Sequence, residues 1–203
     1  MASKIGIINM ALRRLGEQPI VAIDEGSEPS NVMEDIYDIL LDNELRQWSW
    51  PFATTTVELA EVSGETPPDW GYVFQLPADY LQIVRLVDVN TSTTITEWNF
   101  QRQQFSVSNI QWKVREGKLY INTSSVTLEY VFRQEDTEKY DAAFTLAWSR
   151  RLAMEAAPAI TEREDVTQSV RNEYYSFISQ ARGNAGVESR QELKVSHEYV
   201  RAR

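Results

Sequence analysis

The side chains with the most chemical potential in this sequence are carboxylates. Acids lie next to one another at Glu34 and Asp35, and again at Glu162, Glu164 and Asp165. Two carboxylates facing each other in a cleft could hydrolyse a glycosidic bond, and a cluster of them could bind a divalent cation. Each group, however, falls on the polar face or in the first turn of a predicted helix, where solvent and the helix dipole favour acids. We therefore favour a structural role and keep an acid dyad as an alternative.

Other reactive groups are scarce. The chain has no cysteine, which excludes disulfides and thiolate zinc sites, and its one histidine, His197, lies far in sequence from any serine motif. The eight glycines form neither a phosphate-binding loop nor a dinucleotide-binding fingerprint. The sequence therefore predicts a protein that is not an enzyme and that has no cofactor and no metal.

The charge balance argues against tight binding to nucleic acid. The formal net charge is −10 over 203 residues, whereas duplex binding relies on Lys and Arg to neutralise phosphates. The N-terminal residues lack the apolar run of a signal peptide, and we find no membrane span. We expect a protein that is soluble, does not contact membranes and is assembled in the cytoplasm.

Helical periodicity marks both ends of the sequence. Ser3 can cap a first helix that ends at Gly16, and Ser27 or Ser30 can cap a second that ends near Trp48. Pro51 then forces the chain out of helix and into extended structure. An apolar third helix is predicted to end at Pro158, and a fourth, opened by a capping box that begins at Thr161, to end near Gly183.

Between the second and third helices the pattern becomes that of strands. Runs of Val, Thr, Ile and aromatic residues alternate with turn residues from position 54 to 133, which predicts about six to eight strands. The clearest element is a hairpin of residues 110–115 and 118–122 that turns at Glu116-Gly117. Trp70, Trp98 and Trp112 in this region could form a platform for sugar rings, fill the core or contact a protein partner.

Two further features concern contacts with other molecules. Arg150 and Arg151 interrupt the apolar third helix, so they either project from its polar side or meet acids of a neighbouring subunit. Residues 184–203 form the one locally basic end and have too few apolar residues for a core of their own, so we expect them to become ordered on a partner.

Four blocks of sequence, taken together, resemble the head-to-tail adaptor family of short-tailed bacteriophages, also called tail tubular protein A. The similarity covers roughly residues 3–182 and rests on core, cap and turn residues that occur in the same order. The blocks are residues 4–16 leading to 19–20, residues 45–52, residues 71–72 with 76–81, and residues 140–144 with 152–153 and 160–161.

The resemblance implies an α+β fold: a bundle of about four α-helices (residues 1–53 and 134–183), an inserted antiparallel β-domain (54–133) and an extended C-terminal tail (184–203). It also implies a ring of twelve subunits in the virion, between the portal protein and the tail nozzle protein, through whose channel double-stranded DNA passes without specific binding.

We assign three sets of residues to the contacts of such a ring. Trp98 and Phe100 are candidates for the tail-side surface, and Arg150 and Arg151 for the subunit interface. The portal-docking residues are expected in the segment 187–203, and they are Val187, Arg190, Leu193, Lys194, Val195, Tyr199, Val200, Arg201 and Arg203.

Two other functions stay open at this point. A tail-associated protein that binds or hydrolyses glycans would need exposed coplanar tryptophans or two carboxylates in one cleft. A scaffold subunit of an unrelated complex would share the helices but would not bind a portal.

Overall fold

The computed structural model describes residues 3–64, 67–106, 110–161 and 163–188. Within these residues all the strands lie between the second and third helices, so the predicted α+β fold with an inserted antiparallel β-region is confirmed. The helices are α1 (Lys4–Leu15), α2 (Glu28–Arg46), α3 (Ala142–Ile160) and α4 (Glu164–Glu188). The strands are β1 (Thr54–Glu58), β2 (Tyr72–Gln75), β3 (Tyr80–Asp88), β4 (Thr93–Asn99), β5 (Gln104–Phe105), β6 (Trp112–Arg115), β7 (Lys118–Ile121) and β8 (Val126–Phe132).

The first two helices are defined by their caps. The Ser3 hydroxyl accepts a hydrogen bond from the backbone N–H of Gly6 at 3.1 Å, and α1 ends at Gly16 with φ of 87°. Of the two candidate caps for α2, Ser27 takes the role, because its hydroxyl accepts from the N–H of Ser30 at 3.4 Å. These local signals are confirmed as predicted.

The change from helix to sheet takes place at Trp50. Helix α2 ends at Arg46, and Pro51–Ala53 forms one turn of 3-10 helix before β1 begins. The Trp50 ring is completely buried, with its centroid 4.8 Å from that of Phe144 in α3. Its indole N–H donates to the carbonyl of Glu44 at 3.3 Å, which fastens the hinge to the helix before it.

Helix α3 is the centre of the helical body and packs against α1, α2 and α4. The Asp141 carboxylate caps its first turn by accepting from the N–H of Phe144 at 2.8 Å. Its fully buried side chains cover more than one face, as predicted for the core helix. They are Phe144, Ala147, Trp148, Ser149, Leu152, Ala153, Ala156 and Ala157.

Two predicted helix ends are wrong. Pro158 does not end α3, which continues to Ile160. Because the proline lies in the last turn, its missing N–H removes only one hydrogen bond, and the N–H of Thr161 still donates to the carbonyl of Ala157 at 2.8 Å. Gly183 does not end α4, because the apolar stripe continues to buried Ala185. Helix α4 therefore takes up residues 184–188, which we had assigned to the C-terminal tail.

The N-terminus of α4 also differs from the predicted capping box. The Thr161 hydroxyl accepts from the N–H of Arg163 at 3.3 Å, two residues on rather than three. Thr161 itself closes α3, and Glu162 lies outside the described residues.

The eight described strands form two antiparallel sheets. The larger has the order β1-β8-β3-β4-β5 and the smaller β2-β7-β6. A second apolar core, which includes Phe74, Ile83, Leu119 and Leu128, contains side chains from both sheets. The predicted hairpin is β6 and β7, and its turn residues Glu116 and Gly117 both have positive φ, 52° and 72°, as a tight two-residue turn requires.

The larger sheet is also fastened to the helices. Val84 of β3 and Val131 of β8 belong to the helical core. Beyond β8, the guanidinium of Arg133 lies 2.9 Å from a carboxylate oxygen of Asp38 and 2.9 Å from one of Asp42, both on α2. The β-region is therefore joined to the helical body by apolar contacts and by ion pairs.

We predict that the two tryptophans of the hinge differ in their effect on stability. Trp50→Ala should lower the free energy of unfolding by about 3–5 kcal/mol, as truncation of a fully buried aromatic side chain does. Trp48→Ala should cost less, because Trp48 is only half-buried. Denaturant unfolding of both variants and wild type checks the ranking, and an equal or reversed loss would contradict it.

Candidate functional site

The acids singled out in the sequence lie at the surface. Glu34 and Asp35 are exposed on α2, and Glu164 and Asp165 are exposed in the first turn of α4. A hydrogen bond from Arg163, at 2.7 Å, lowers the pKa of Asp165 below its usual value. The positions of the described acids agree with the structural interpretation of solvent and helix dipole.

Four clefts of the described surface bear on the alternative that this protein hydrolyses glycans. They lie along the β-region and have volumes of about 260 to 480 Å³. One is lined by Glu97 and another by Glu58, and neither of the remaining two is lined by a carboxylate. None of these four clefts therefore brings together the two carboxyl groups that glycoside hydrolysis uses.

An aromatic row runs from the hinge to the smaller sheet. It consists of Trp48, Phe100, Trp98, Phe105 and Trp112, and successive ring centroids are 5.8, 6.4, 4.7 and 4.7 Å apart. Phe105 lies between the two indoles of Trp98 and Trp112 and meets each edge to face. These two tryptophans therefore do not form a continuous platform for sugar rings.

The two candidates for the tail-side surface are both half-buried. Phe100 packs against the helical core and Trp48, so it helps to hold β4 against the end of α2. Trp98 is half-buried and lines two clefts, one on the side of Glu97 and one on the side of Arg46. Phe100 lines the second of these clefts as well, so a partner bound there could contact both side chains.

Only the start of the predicted portal-docking segment is described. Val187 is on the last turn of α4 and is 72% exposed. A Cβ atom at the preceding Gly186 would lie 4.0 Å from the ring of Trp48, so the segment leaves the helix near the aromatic row. The other candidates and His197 lie outside the described residues: Arg190, Leu193, Lys194, Val195, Tyr199, Val200, Arg201 and Arg203.

The arginine pair of α3 finds its acids within the same chain. Arg150 lies 3.5 Å from Glu173 of α4, and Arg151 lies 3.2 Å from Glu155. The guanidinium of Arg150 also covers the ring of Phe177, 5.0 Å from its centroid. Both side chains are mostly buried inside the helical body and have acidic partners within it, and their assignment to a subunit interface stays a prediction.

The least expected group is Glu44, which sequence reasoning missed. Its side chain is 0% exposed, and both carboxylate oxygens accept from the hydroxyl of Tyr174, at 2.9 and 3.1 Å. The guanidinium groups of Arg151 and Arg182 each approach to 3.8 Å, close enough for attraction but too far for a hydrogen bond. We call Glu44, Tyr174, Arg151 and Arg182 the buried charge cluster.

Burial raises the pKa of two groups in this cluster. Loss of solvent raises the pKa of Glu44, and its hydrogen bond from Tyr174 and the two arginines only partly oppose that effect. The pKa of Tyr174 is also raised, by burial first and then by the neighbouring carboxylate. The signal in the sequence was the place of Glu44 in the apolar stripe of α2, three residues after Leu41 and four before Trp48.

The cluster joins α2, α3 and α4 and is closed to solvent at Glu44. A substrate could not reach this carboxylate without separating the helices, so its geometry suits a structural role. In the described ranges, no group of three or more His, Cys, Asp or Glu side chains is placed to hold a metal ion. Nor does any helix in that part of the chain have the length and apolar character needed to cross a membrane.

Neither the models of known protein families nor the curated proteins gave a significant match to this sequence.

The raised pKa of Glu44 predicts how stability depends on pH. The folded state binds the proton of the Glu44 carboxyl more tightly than the unfolded state, in which this group has its ordinary pKa of 4.5. The contribution of this proton to folding stability is therefore complete below pH 4.5 and is lost as pH rises through the folded-state pKa. The free energy of unfolding of wild type relative to Glu44→Gln should therefore fall from pH 4.5 to neutral pH.

Denaturant unfolding at a series of pH values measures this difference, and Glu34→Gln on the exposed face of α2 is the matched control. The control should show no comparable trend. A relative stability of wild type over Glu44→Gln that rises with pH would contradict the assignment.

A second prediction concerns the arginine pair. Arg151→Met should lower the free energy of unfolding by about 1–3 kcal/mol, because it leaves the buried Glu44 carboxylate with one charge fewer to balance it. Arg115→Met at the exposed end of β6 should change stability by less than about 0.5 kcal/mol. An unchanged unfolding curve for Arg151→Met, combined with loss of oligomers in light scattering, would instead favour the subunit interface.

Proposed function

We propose that this protein is a structural head-to-tail connector of a short-tailed bacteriophage, which forms a ring between portal and tail nozzle and continues the DNA channel. One observation carries the proposal: a four-helix body is interrupted between α2 and α3 by an antiparallel β-region. This is the architecture that the sequence resemblance implies. The protein would belong to the virion after assembly in the host cytoplasm.

The distribution of polar groups supports a role in assembly. The buried charge cluster holds helices together, and the four clefts described above lack paired carboxylates. The net charge of −10 suits a wall past which DNA must slide, because many Lys and Arg contacts would hold the phosphates. A channel lined by lysines and arginines would count against this part of the proposal.

In this proposal the segment 187–203 docks on the portal, and the β-region with Trp98 faces the nozzle. The structure adds a constraint, since Val187 and the aromatic row lie near the same end of α4. The segment 187–203 can dock on the portal while Trp98 faces the nozzle only if that segment leads away from Trp98. About 15 residues in extended form can reach about 50 Å, which is enough for the opposite side of a ring subunit.

A glycan-binding protein is the second candidate, and the cleft beside Trp98 favours it. Apart from Trp98 and Phe100, this cleft is lined by Arg46 and by four side-chain amides, groups that suit sugar hydroxyls. The four amides belong to Asn43, Gln47, Gln82 and Gln103. Quenching of tryptophan fluorescence by an oligosaccharide, absent in Trp98→Ala, would favour this candidate over the connector.

Deletion of residues 187–203 tests the connector. The shortened protein should fold normally, because Val187 and Glu188 are exposed and the last buried residue of the described α4 is Ala185. It should no longer co-sediment with portal-bearing capsids of the same virus, whereas full-length protein should, and circular dichroism checks the fold. Trp98→Ala is the matched control and should still bind these capsids.

Negative-stain images of the full-length protein on isolated portal should show a ring. Undiminished co-sedimentation of the shortened protein would remove the tail from portal docking, and failure of the full-length protein to bind would overturn the connector itself.

A further inference from the structure

Helix α2 carries an apolar side chain that the described part of the chain leaves exposed. Ile39 is 73% exposed, exposed Asp35 lies one helical turn before it, and Glu34 and Asp38 are exposed on the same helix. Asp38 is already paired with Arg133 and Lys4. In the described structure neither Glu34 nor Asp35 has an ion pair, so this face combines an uncovered isoleucine with unbalanced negative charge.

Helix α4 carries a face of the opposite kind. Tyr175 is 61% exposed, and exposed Arg171 lies one turn before it. Arg171 has no ion pair with any residue of the described chain, and the nearby acid Glu173 is taken up by Arg14 and Arg150. Tyrosine and arginine are the residue types enriched at the centres of protein interfaces.

The two faces match in spacing as well as in charge. Asp35 precedes Ile39 by four residues, and Arg171 precedes Tyr175 by four, so each pair spans one helical turn of about 6 Å. Two helices that run in the same direction can then place opposite charges together and apolar side chains together in a single register.

We propose that α2 of one copy packs against α4 of the next copy, with Asp35 facing Arg171 and Ile39 facing Tyr175. The inference rests on the proposed function and names the surfaces that would close its ring. Pairing of α2 with α2 is disfavoured, because it would bring unpaired acids against acids. When two copies join through different faces, the dimer still has one free α2 face and one free α4 face. Further copies can therefore add, and the assembly closes into a ring when the rotation between neighbouring copies permits.

Charge exchange tests the register. Asp35→Arg and Arg171→Asp should each weaken assembly on portal about tenfold or more, and the double variant should restore it, since the pair is then re-formed with its charges exchanged. Light scattering and negative stain measure the assembly, and thermal unfolding of each variant should match wild type because both positions are exposed. Asp24→Arg in the exposed loop between α1 and α2 and Arg115→Asp at the exposed end of β6 are the matched controls.

Cysteine cross-linking gives a second measurement, since the protein has no cysteine of its own. Ile39→Cys mixed with Tyr175→Cys on portal should give a disulfide-linked dimer under mild oxidation, and neither variant alone should do so. Val21→Cys, which is 88% exposed at the wild-type residue, is the control partner for Tyr175→Cys and should give none.

The outcomes separate the two proposals. A wild-type ring that both charge reversals leave intact, or reversals that the double variant fails to rescue, overturns the α2–α4 contact and leaves the connector standing. A dimer formed by either cysteine variant alone also overturns it, because the contact would then join identical faces. A wild-type protein that stays monomeric with portal overturns the connector and this contact together.

Discussion

The burial of α3 is the constraint on which the rest of this structure depends. A helix whose side chains are apolar on several faces must be covered on each of them, and α1, α2 and α4 supply that cover. The segments that cover α3 lie on both sides of the β-region in sequence. The first and last strands of the β-region therefore have to lie next to each other, and β1 does pair with β8. Beside this pair, the side-chain amide of Gln134 donates to the carbonyl of Phe52 at 3.3 Å.

The buried charge cluster places polar groups inside the helical body. A carboxylate with no solvent contact is destabilising unless other groups balance it, and in Glu44 that balance comes from one hydroxyl and two arginines on two other helices. We regard the cluster as a device that fixes how α2, α3 and α4 lie relative to one another. The same arrangement gives Arg151 an acidic neighbour although it lies in an otherwise apolar helix.

How much could be predicted from the sequence depended on the range of the interactions involved. The cap at Ser3 and the turn at Gly117 are decided by a few neighbouring residues, and they are predicted correctly. For α2 the sequence leaves two candidate caps, of which the structure uses Ser27. Gly183 was misread because a glycine ends a helix only where the chain needs positive φ, and here buried Ala185 draws the helix onward. Local sequence could not reveal that this stripe continues.

The candidate sites were harder to predict for the same reason. Glu44 and Tyr174 are 130 residues apart, and no pattern in either segment indicates that they meet. The aromatic row likewise joins residues from the end of α2 to β6, so the sequence could indicate the residue types but not their order in space. The exposure of Ile39 and Tyr175 could not be predicted from the sequence either, since periodicity alone does not show which helix faces a fold leaves uncovered.

The small size of the uncovered apolar faces bears on when a ring would form. A stable protein interface buries about 1,200–2,000 Å² in total, and two side-chain pairs on one helical turn account for only part of that area. A single contact between two copies should therefore be weak. When several copies are held on one template, each further contact forms within an assembled complex, where the effective concentration is high. If the protein is the connector proposed above, its copies would therefore associate weakly in solution and close into a ring only where a template holds several of them together.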